Sequence, residues 1–321
     1  PIRTVYARAP LRLSFAGGGS DTKEFASRHG GAVVSAAIAR YVVVETIIQN
    51  PGTMPGFVSY PKDETDTTYL KRATYMACLL QPVCMTSRVD APPRSGLGAS
   101  GAIAVASLAS LQPPDASYMT PNWLAKIACL LEVELGVAGG QQDQYAAAFG
   151  GVNLMRFSKD GGEVTPLKLD RKTILHLESS LVLVFIHSRS SSSHSIMAAE
   201  IEMIRQGDVR VVEALKRQCS LANRIAQDLE HGDLVDFGHA LGEAWETKKL
   251  QSPEASNPIV EAMLKLGLDH GAVSGKLTGA GGGGYLMLYC PGTVGPVVDA
   301  YRSIGLRPEN VVFDFQGVQT W

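Results

Sequence analysis

The sequence predicts an α+β protein folded in two lobes. Strand-like and helix-like segments are mixed without the regular strand–helix–strand rhythm of a doubly wound parallel sheet. With 321 residues, of which 45% are hydrophobic and 19% charged, the chain can bury the cores of two ordinary domains. The polar turn "SKDGGE" marks a break, so we expect a lobe of mixed strands and helices over residues 1–163 and a sandwich-like α/β lobe over residues 164–321.

The first lobe is predicted to open with two strands. The segments "TVYARAPLRLSF" and "YVVVETII" are rich in β-branched residues, which favour strands. Helical patterns follow from the Ser100 region to Leu111, from about Pro121 to Leu135, and over "QQDQYAAAF". The last of these ends at Gly150 and leads into a short predicted strand, "VNLMRF".

The second lobe is predicted to open with the strand "LVLVFIH". Three or four amphipathic helices are expected between Ser195 and Gly271. The strand "YLMLYC", a helix near residues 294–303 and a last strand, "VVFDF", complete the expected lobe.

Composition argues against several classes of protein. The net charge is −2 without a basic run, so we expect neither nucleic acid nor a membrane surface as a partner. The longest apolar runs are strand-sized, and no export leader is recognisable, so a cytoplasmic location is expected. The 5 cysteines and 7 histidines are scattered without the spacing of a metal clip, which argues against a zinc site.

Glycine is concentrated in three runs, each beside a predicted strand or helix. The runs are Gly17–Gly19, the glycines of "GLGASG" from Gly96 to Gly101, and Gly281–Gly284. Glycine lets backbone N–H groups turn toward an anion with no side chain in the way. Three such runs in one chain favour an enzyme that handles phosphate groups.

The segment "GLGASG" fits the dinucleotide-binding pattern G-x-G-x-x-G, but its context does not. Pro92 and Pro93 precede it where a central strand is required, and Asp115 lies in a loop rather than at the end of the next strand. A Walker A lysine motif is also missing from the sequence. The remaining interpretation is a helix N-terminus that faces a polyphosphate, where the Ser100 hydroxyl either reaches a magnesium ion or caps the helix.

The glycine runs and their flanks resemble a known family. "APLRLSFAGGGSD", "PPRSGLGASGA" and "KLTGAGGGGY" are similar, in order and spacing, to the three motifs of the GHMP small-molecule kinases. The resemblance implies the two-lobed GHMP kinase fold, with ATP and Mg²⁺ as cofactors. Together with "GGQQDQYAAAFGGVN", "SRSSSSHSI" and "WETKK", the motifs resemble the bacterial D-glycero-D-manno-heptose 7-phosphate kinases, which phosphorylate the anomeric hydroxyl on the way to nucleotide-activated heptose. Galactokinases carry Gly-Glu-His where this chain has Gly17–Gly19.

The resemblance implies a catalytic pair. Asp143 matches the family's catalytic aspartate, and a carboxylate there can accept the proton of the sugar hydroxyl or orient that hydroxyl for attack. Arg12 takes the place of the basic residue of the first motif, where its charge would keep the aspartate ionised. The structural alternatives are a carboxylate that stabilises a helix dipole and a surface arginine.

Phosphate and metal ligands are implied by the second motif. Ser100 matches the serine that reaches magnesium, while Ala99 replaces the serine that usually precedes it. Glu132, eleven residues before Asp143, is the expected carboxylate ligand of the metal, with Glu134 as the alternative. The expected phosphate-binding residues are Arg94, Ser95, Gly96, Leu97, Gly98, Ala99, Ser100 and Gly101.

The acceptor sugar is expected to lie against the first and third motifs. Asp21 matches the aspartate that holds sugar hydroxyls, although a turn or cap residue is the alternative, and Lys276 is expected either to touch a phosphate or to be solvated. A 7-phosphate needs its own anion site, for which Arg189 and the following serines are the candidates. The expected acceptor-binding residues are Gly18, Gly19, Ser20, Asp21, Gly140, Arg189, Gly281 and Gly282.

The expected partners are therefore two small molecules, ATP and a sugar phosphate, with a homodimer as the oligomer considered. One alternative is the same chemistry on fucose, galactose or an unphosphorylated heptose. Another is a catalytically silent sugar-phosphate sensor, against which the presence of Asp143 and Ser100 argues. A dehydrogenase is disfavoured by the strand context of "GLGASG".

Overall fold

The computed structural model describes residues 3–48, 73, 83–112, 119–137, 139–188 and 193–321. Within these residues the strands form an antiparallel sheet of six strands and a second one of four. The six-stranded sheet contains β1 (Arg3–Ala16), β2 (Gly31–Ile48), β3 (Val83–Val89), β4 (Val152–Ser158), β5 (Gly161–Pro166) and β10 (Gln319–Thr320). The four-stranded sheet contains β6 (Leu181–His187), β7 (Ser274–Leu277), β8 (Gly284–Tyr289) and β9 (Pro308–Asn310).

The first lobe contains four described helices, of which the second and the fourth pack against the long hairpin of β1 and β2. The four helices are α1 (Lys23–His29), α2 (Ala99–Ser110), α3 (Pro121–Glu134) and α4 (Gln142–Phe149). The helix α2 is rich in alanine and buried almost throughout, so it passes through the core with β1 on one side and α4 on another. Small side chains allow this, because alanine lets neighbouring elements approach closely and has the highest helix propensity. The burial of α2 places its N-terminus inside the protein, next to the ends of β1 and α4.

The second lobe contains six described α-helices, four of which begin at polar capping residues. The six helices are α5 (Arg171–Ser180), α6 (Ser193–Gln206), α7 (Val209–His231), α8 (Leu234–Gln251), α9 (Pro258–Asp269) and α10 (Gly295–Ser303). Asp170, Asp208, Asp233 and Asn257 accept hydrogen bonds from backbone N–H groups in the first turns of α5, α7, α8 and α9. These caps satisfy donors that a helix leaves unpaired at its start. In the described residues, no helix combines the length and apolar composition required to cross a bilayer.

The boundary between the lobes differs from the expected one. The division at residues 163 and 164 falls inside β5, which pairs with β4 from Asn153–Pro166 to Ser158–Gly161. "SKDGGE" is therefore the turn of a hairpin rather than a linker. The chain also returns to the first sheet at its end, where β10 pairs with β1 and the backbones of Tyr6 and Trp321 exchange hydrogen bonds of 2.9 and 3.0 Å.

The last expected strand is also wrong in position. The segment "VVFDF" holds only an isolated bridge, from Phe313 to Ile38, and the described strand β9 lies just before it. Asp314 interrupts the extended pattern because its Oδ1 atom accepts hydrogen bonds from the backbone N–H groups of Gln316 and Gly317. Such a local side-chain bond competes with strand pairing. The other segments predicted as strands and helices above are confirmed to within a few residues, except that β2 begins at Gly31, ten residues before the predicted strand "YVVVETII".

Candidate active site

A buried ion pair joins the first strand to the fourth helix. Arg12 on β1 donates from Nε and Nη2 to Oδ1 of Asp143, at 2.7 and 2.6 Å, and from Nη1 to the carbonyl of Gly96 at 2.6 Å. The Arg12 side chain is 5% exposed and that of Asp143 is 22% exposed. Both bonds from Arg12 go to one carboxylate oxygen, so Oδ2 of Asp143 is engaged by neither.

Two glycines let the loop from Arg94 to Gly101 close over this pair of side chains. A Cβ built on Gly98 would lie 3.1 Å from Cγ of Asp143 and 3.2 Å from Cγ of Arg12. A Cβ on Gly101 would lie 2.6 Å from Cβ of Asp143, closer than real Cβ atoms approach. The glycine spacing therefore brings the N-terminus of α2, the positive end of the helix dipole, directly against the side chain of Asp143.

Ser100 does not cap α2. The N-cap is Gly98, whose φ of 78° is in the left-handed region, and Ser100 is the second residue of the helix. The capping alternative for Ser100 is thus wrong. Its hydroxyl lies in the first turn of α2, on the same stretch of chain that contacts Asp143.

The second and third glycine runs pack backbone against backbone. A Cβ on Gly96 would lie 2.4 Å from the carbonyl oxygen of Thr278, and one on Gly284 would lie 2.3 Å from that of Ser95. The backbone N–H of Tyr285 also donates to Ser95 at 2.9 Å. Leu97 is fully buried beneath the loop, whereas Arg94 is exposed and holds a positive φ of 58°. The second and third motifs are therefore in direct backbone contact.

The first glycine run is anchored from inside the protein. Asp21 is fully buried, and its oxygens accept the backbone N–H groups of Gly19 and Gln142, each at 2.9 Å. Burial raises the pKa of Asp21, with a smaller contribution from the charge of Asp143, while the two backbone hydrogen bonds oppose the rise. A Cβ on Gly140 would lie 2.0 Å from Oδ2 of Asp21. The geometry thus gives Asp21 the cap and turn role; contact with a sugar hydroxyl stays a prediction.

Ser20 has a similar anchoring position. Its hydroxyl is fully buried, donates to the carbonyl of Gly17 at 2.7 Å and accepts from the backbone N–H of Ala32 at 3.1 Å. Among the expected acceptor-binding residues of the first motif, Ser20 therefore has the least support for a direct contact with the acceptor. Gly18, by contrast, is partly exposed at the tip of the run.

A buried polar network lies beneath Gly18 and Gly19. Glu200 on α6 is fully buried and accepts from Lys248 at 3.2 Å and from Gln251 at 2.7 Å, both on α8. The same Gln251 amide donates to the carbonyl of Gly18 at 3.1 Å. A Cβ on Gly19 would lie 2.1 Å from Nε2 of Gln251, so glycine is required there.

Lys276 is neither solvated nor placed as a phosphate contact. It is buried and donates to the carbonyls of Ser14 and Phe15 at 2.9 and 3.0 Å, just before the first glycine run. Burial lowers the pKa of Lys276 to about 7, and the charges of Lys248 and Arg12 add to this effect.

Comparison with known proteins agrees with these three motifs. The family model "GHMP kinases N terminal domain" matches residues 67–151, and "GHMP kinases C terminal" matches residues 225–304. The D-glycero-alpha-D-manno-heptose 7-phosphate kinase of Campylobacter jejuni is 29% identical over 100% of this chain and 99% of its own length. The chain belongs to the GHMP kinases.

Other relatives of this GHMP kinase have related activities. A D-glycero-D-manno-heptose 1-phosphate kinase from Bacteroides thetaiotaomicron superposes with a TM-score of 0.76 at 27% identity, over 99% of this chain and 98% of that one. The bifunctional fucokinase/GDP-fucose pyrophosphorylase of Arabidopsis thaliana is 24% identical over 99% of this chain but only 32% of its own length. Family membership and the full-length relatives make this GHMP kinase an ATP-dependent sugar kinase.

The third glycine run of the GHMP kinase is fixed by neighbouring turns. A Cβ on Gly281 would lie 2.6 Å from the Cα of Ala255, and the backbone N–H of Gly282 donates to the carbonyl of Ala255 at 2.8 Å. Gly282 is partly exposed and Gly281 is buried. These contacts leave Gly282 as the residue of the pair that is open to a ligand.

A magnesium ion fits the donor set around Asp143. Glu132, near the end of α3, is 7% exposed, and Gly139 lies beside its carboxylate. The pKa of the neighbouring Cys129 thiol is raised well above its usual value, first by burial and then by the charges of Glu132, Asp21 and Asp143. The three carboxylates therefore lie near Cys129, and Asp143 among them adjoins the N-terminus of α2. Magnesium uses one or two carboxylates together with phosphate oxygens and water, so it does not need a cluster of three protein ligands, and none is present among the described residues.

Two groups of residues remain: expected ones that lie outside the described residues, and buried ones that the sequence did not predict. Arg189, Ser190 and Ser191 lie outside the described residues, so the 7-phosphate site stays a prediction. The sequence did not predict Glu200 and Gln251, because a single glutamate or glutamine on an amphipathic helix usually belongs to its solvent-exposed face. The only sequence signal for this buried network was the segment "WETKK", which contains Lys248.

Proposed function

We propose that this kinase transfers the γ-phosphoryl group of ATP to the anomeric hydroxyl of D-glycero-D-manno-heptose 7-phosphate, which yields the 1,7-bisphosphate. The observation that carries the chemistry is the Arg12–Asp143 pair at the N-terminus of α2. The choice of acceptor rests on the full-length similarity to the C. jejuni kinase and on the triple glycine of the first motif.

Asp143 is the group that acts on the acceptor. Its Oδ2 atom, which Arg12 leaves unengaged, accepts the proton of the anomeric hydroxyl or orients that hydroxyl for in-line attack. Arg12 holds the carboxylate in position and supplies positive charge beside the moving phosphoryl group. Phosphoryl transfer needs positioning and charge neutralisation more than covalent chemistry, so no covalent enzyme intermediate is required.

The nucleotide phosphates are proposed to lie over the loop from Arg94 to Gly101. Its backbone donors and the positive end of α2 face the same side as Asp143. Ser100 and Glu132 are the proposed magnesium ligands, with Glu134 as the alternative. When bound there, the ion would screen the negative charge of the phosphates.

The 7-phosphate is proposed to bind at Arg189 and the serines that lead into α6. Guanidinium groups and helix N-termini both favour phosphate oxygens. Glu200, two turns further along α6, contacts the network beneath Gly19, about 10 Å along the helix from Ser193. The start of α6 is therefore within reach of an acceptor that lies over the first glycine run.

Turnover with a panel of acceptors tests the proposal. ADP release is measured with ATP and Mg²⁺ against heptose 7-phosphate, unphosphorylated heptose, fucose and galactose, and phosphorus NMR locates the new phosphate. We expect turnover with heptose 7-phosphate and a product phosphorylated at C1. Turnover only with a free sugar would refute the proposed acceptor but keep the kinase, and binding without turnover would favour the sensor.

The anion site is tested by Arg189→Ala. We expect a raised KM for heptose 7-phosphate and an unchanged KM for ATP, because the substitution removes a charge-assisted contact to the acceptor phosphate alone. Arg205→Ala is the matched control, since Arg205 lies at the other end of α6 and pairs with Glu24 at 2.7 Å. Equal effects of both variants would refute the anion site.

A further inference from the structure

A small polar recess opens over Gly18, next to the catalytic aspartate. Gly18 is the partly exposed residue of its run, while Gly17, Gly19 and Ser20 are buried. A Cβ built on Gly18 would meet Nε2 of Gln142 at 3.3 Å and Oγ of Ser14 at 3.7 Å, and no other described atom within 4 Å. Gln142 directly precedes Asp143 at the start of α4, so the recess adjoins the site of phosphoryl transfer.

Both side chains that line the recess carry a buried polar atom without a partner. Ser14 is 4% and Gln142 is 8% exposed. Oγ of Ser14 and Oε1 of Gln142 accept or donate no hydrogen bond within the described residues. An unpaired buried polar group destabilises the folded state, so its presence at a ligand-facing position needs a reason.

The chemistry of the recess favours hydroxyl groups over an anion. The Gln142 amide faces Gly18 with the donor Nε2, and its unpartnered Oε1 is an acceptor. The backbone N–H of Gln142 donates to the Asp21 carboxylate, and Asp143 is the next residue. Two cations that contact this part of the chain, Lys276 and Arg12, already have protein partners. A hydroxyl group, which both donates and accepts hydrogen bonds and has no negative charge, fits these surroundings.

We propose that Ser14 and Gln142 bind ring hydroxyls of the acceptor over Gly18 and set the specificity of this kinase for a polyhydroxylated substrate. This inference rests on the proposed sugar-kinase function and extends it to two residues that the family motifs do not assign. The absence of a side chain at Gly18 leaves space for the sugar ring. The 7-phosphate lies elsewhere, because the recess provides no free cation among the described residues.

Ser14→Ala, Gln142→Leu and Gly18→Ala test the recess. Gly18 lacks the left-handed φ of Gly17 and Gly19, so its backbone accepts alanine, whose methyl group would fill the recess. We expect each variant to raise the KM of the acceptor about tenfold and to leave the KM of ATP unchanged, because each removes or blocks contacts to the sugar alone. Ser14→Ala and Gln142→Leu are also expected to keep or raise Tm, since they delete an unpaired buried polar atom.

Two matched controls are available, one of them on the same helix as Gln142. Gln144 on α4 is 1% exposed and also has an unpartnered Oε1, but it lies on the opposite side of the helix from Gln142. Ser107 on α2 is a fully buried serine with an unpartnered Oγ. Gln144→Leu and Ser107→Ala should leave the acceptor KM unchanged. An unchanged KM in the recess variants, or a joint loss of Tm and rise of both KM values, would overturn the inference.

The outcomes separate this inference from the proposed function. The variants are assayed with whichever sugar the wild-type enzyme phosphorylates, so a wrong acceptor still leaves the recess tested. If no sugar is phosphorylated, the proposed function fails, and calorimetric titration with the same sugars decides. Binding weakened by the recess variants and not by the controls would support the inference, and absence of binding to the wild type would overturn it.

Discussion

At the residue scale, the site depends on how its charges are paired. Arg12 is almost completely buried and has two acceptors, Asp143 and the carbonyl of Gly96. A buried guanidinium needs such partners, because an unpaired buried charge strongly destabilises a fold. The same pairing holds one oxygen of Asp143 in place while part of its side chain stays open to a ligand.

Asp143→Asn should abolish most of the activity and should also lower stability, because the buried Arg12 loses its carboxylate partner. Asparagine keeps the shape of the side chain but cannot accept the hydroxyl proton, so we expect kcat to fall about 10²–10⁴-fold with the KM of ATP within a few-fold. The exposed Asp160→Asn, in the turn between β4 and β5, is the control. A variant that keeps a tenth or more of the wild-type kcat would show that Asp143 is not the acid–base group.

Lys276 gives the enzyme a pH-dependent stability. Its pKa in the folded state is lowered to about 7, so above that pH the unfolded state binds the proton more strongly than the folded state. The free energy of unfolding should therefore rise as the pH increases from about 7 toward 10, and the penalty is fully present below pH 7. Urea midpoints from pH 6 to 9 measure this, and Lys276→Met should remove the rise. An equal pH dependence in both proteins would contradict the assignment.

Sequence alone predicts the residues of the site that belong to local motifs and misses those joined by distant parts of the chain. Arg12 and the glycines follow from three short motifs, and Asp143 follows from the separate segment "GGQQDQYAAAFGGVN". Glu200 and Gln251 meet Gly18 and Gly19 only after α6 and α8 have packed together. Lys276 belongs to the third motif, but its burial depends on β1, which lies 261 residues away in the sequence.

At the element scale, close packing of α2 on α4 fixes the distance between the phosphate loop and Asp143. Gly101 is the contact point, and a methyl group there would overlap the Cβ of Asp143. The strand and helix types were predictable because their apolar and alanine patterns are long. The position of β9 was not, because Asp314 acts through the hydrogen bonds of a single side chain rather than through periodicity.

Gly101→Ala should therefore harm both stability and activity. Separating α2 from α4 is expected to cost about 1–3 kcal/mol of the free energy of unfolding and to lower kcat, because the loop moves away from Asp143. Gly242→Ala on α8 is the matched control, since its Cβ would lie 3.4 Å from the nearest atom, an ordinary contact. That variant should gain about 0.5–1 kcal/mol. Chemical denaturation and steady-state kinetics compare them; a neutral Gly101→Ala would contradict the packing argument.

At the scale of the whole molecule, polar contacts between the lobes converge on the first glycine run. Gln218 on α7 accepts from the N–H of Gly17 at 3.0 Å, Gln251 on α8 donates to Gly18, and Lys276 on β7 donates to the end of β1. The acceptor loop belongs to the first lobe in sequence but is held by the second. This explains why the expected division at residue 163 does not separate two independent units: the active site needs both.

The buried pair of Glu200 and Lys248 offers a test of this coupling. Glu200→Leu leaves a buried lysine without its partner and should lower the free energy of unfolding by about 3–5 kcal/mol, whereas adding Lys248→Met removes the lone charge and should recover most of the loss. Urea denaturation of both single variants and the double variant measures the coupling. Asp269→Ala is the surface control, because its pair with Lys265 is exposed and should contribute less than about 1 kcal/mol.

The double variant should regain stability but keep a raised acceptor KM, since Gln251 has lost the carboxylate that orients it toward Gly18. Full recovery of both quantities would mean that the network supports the fold without positioning the acceptor loop.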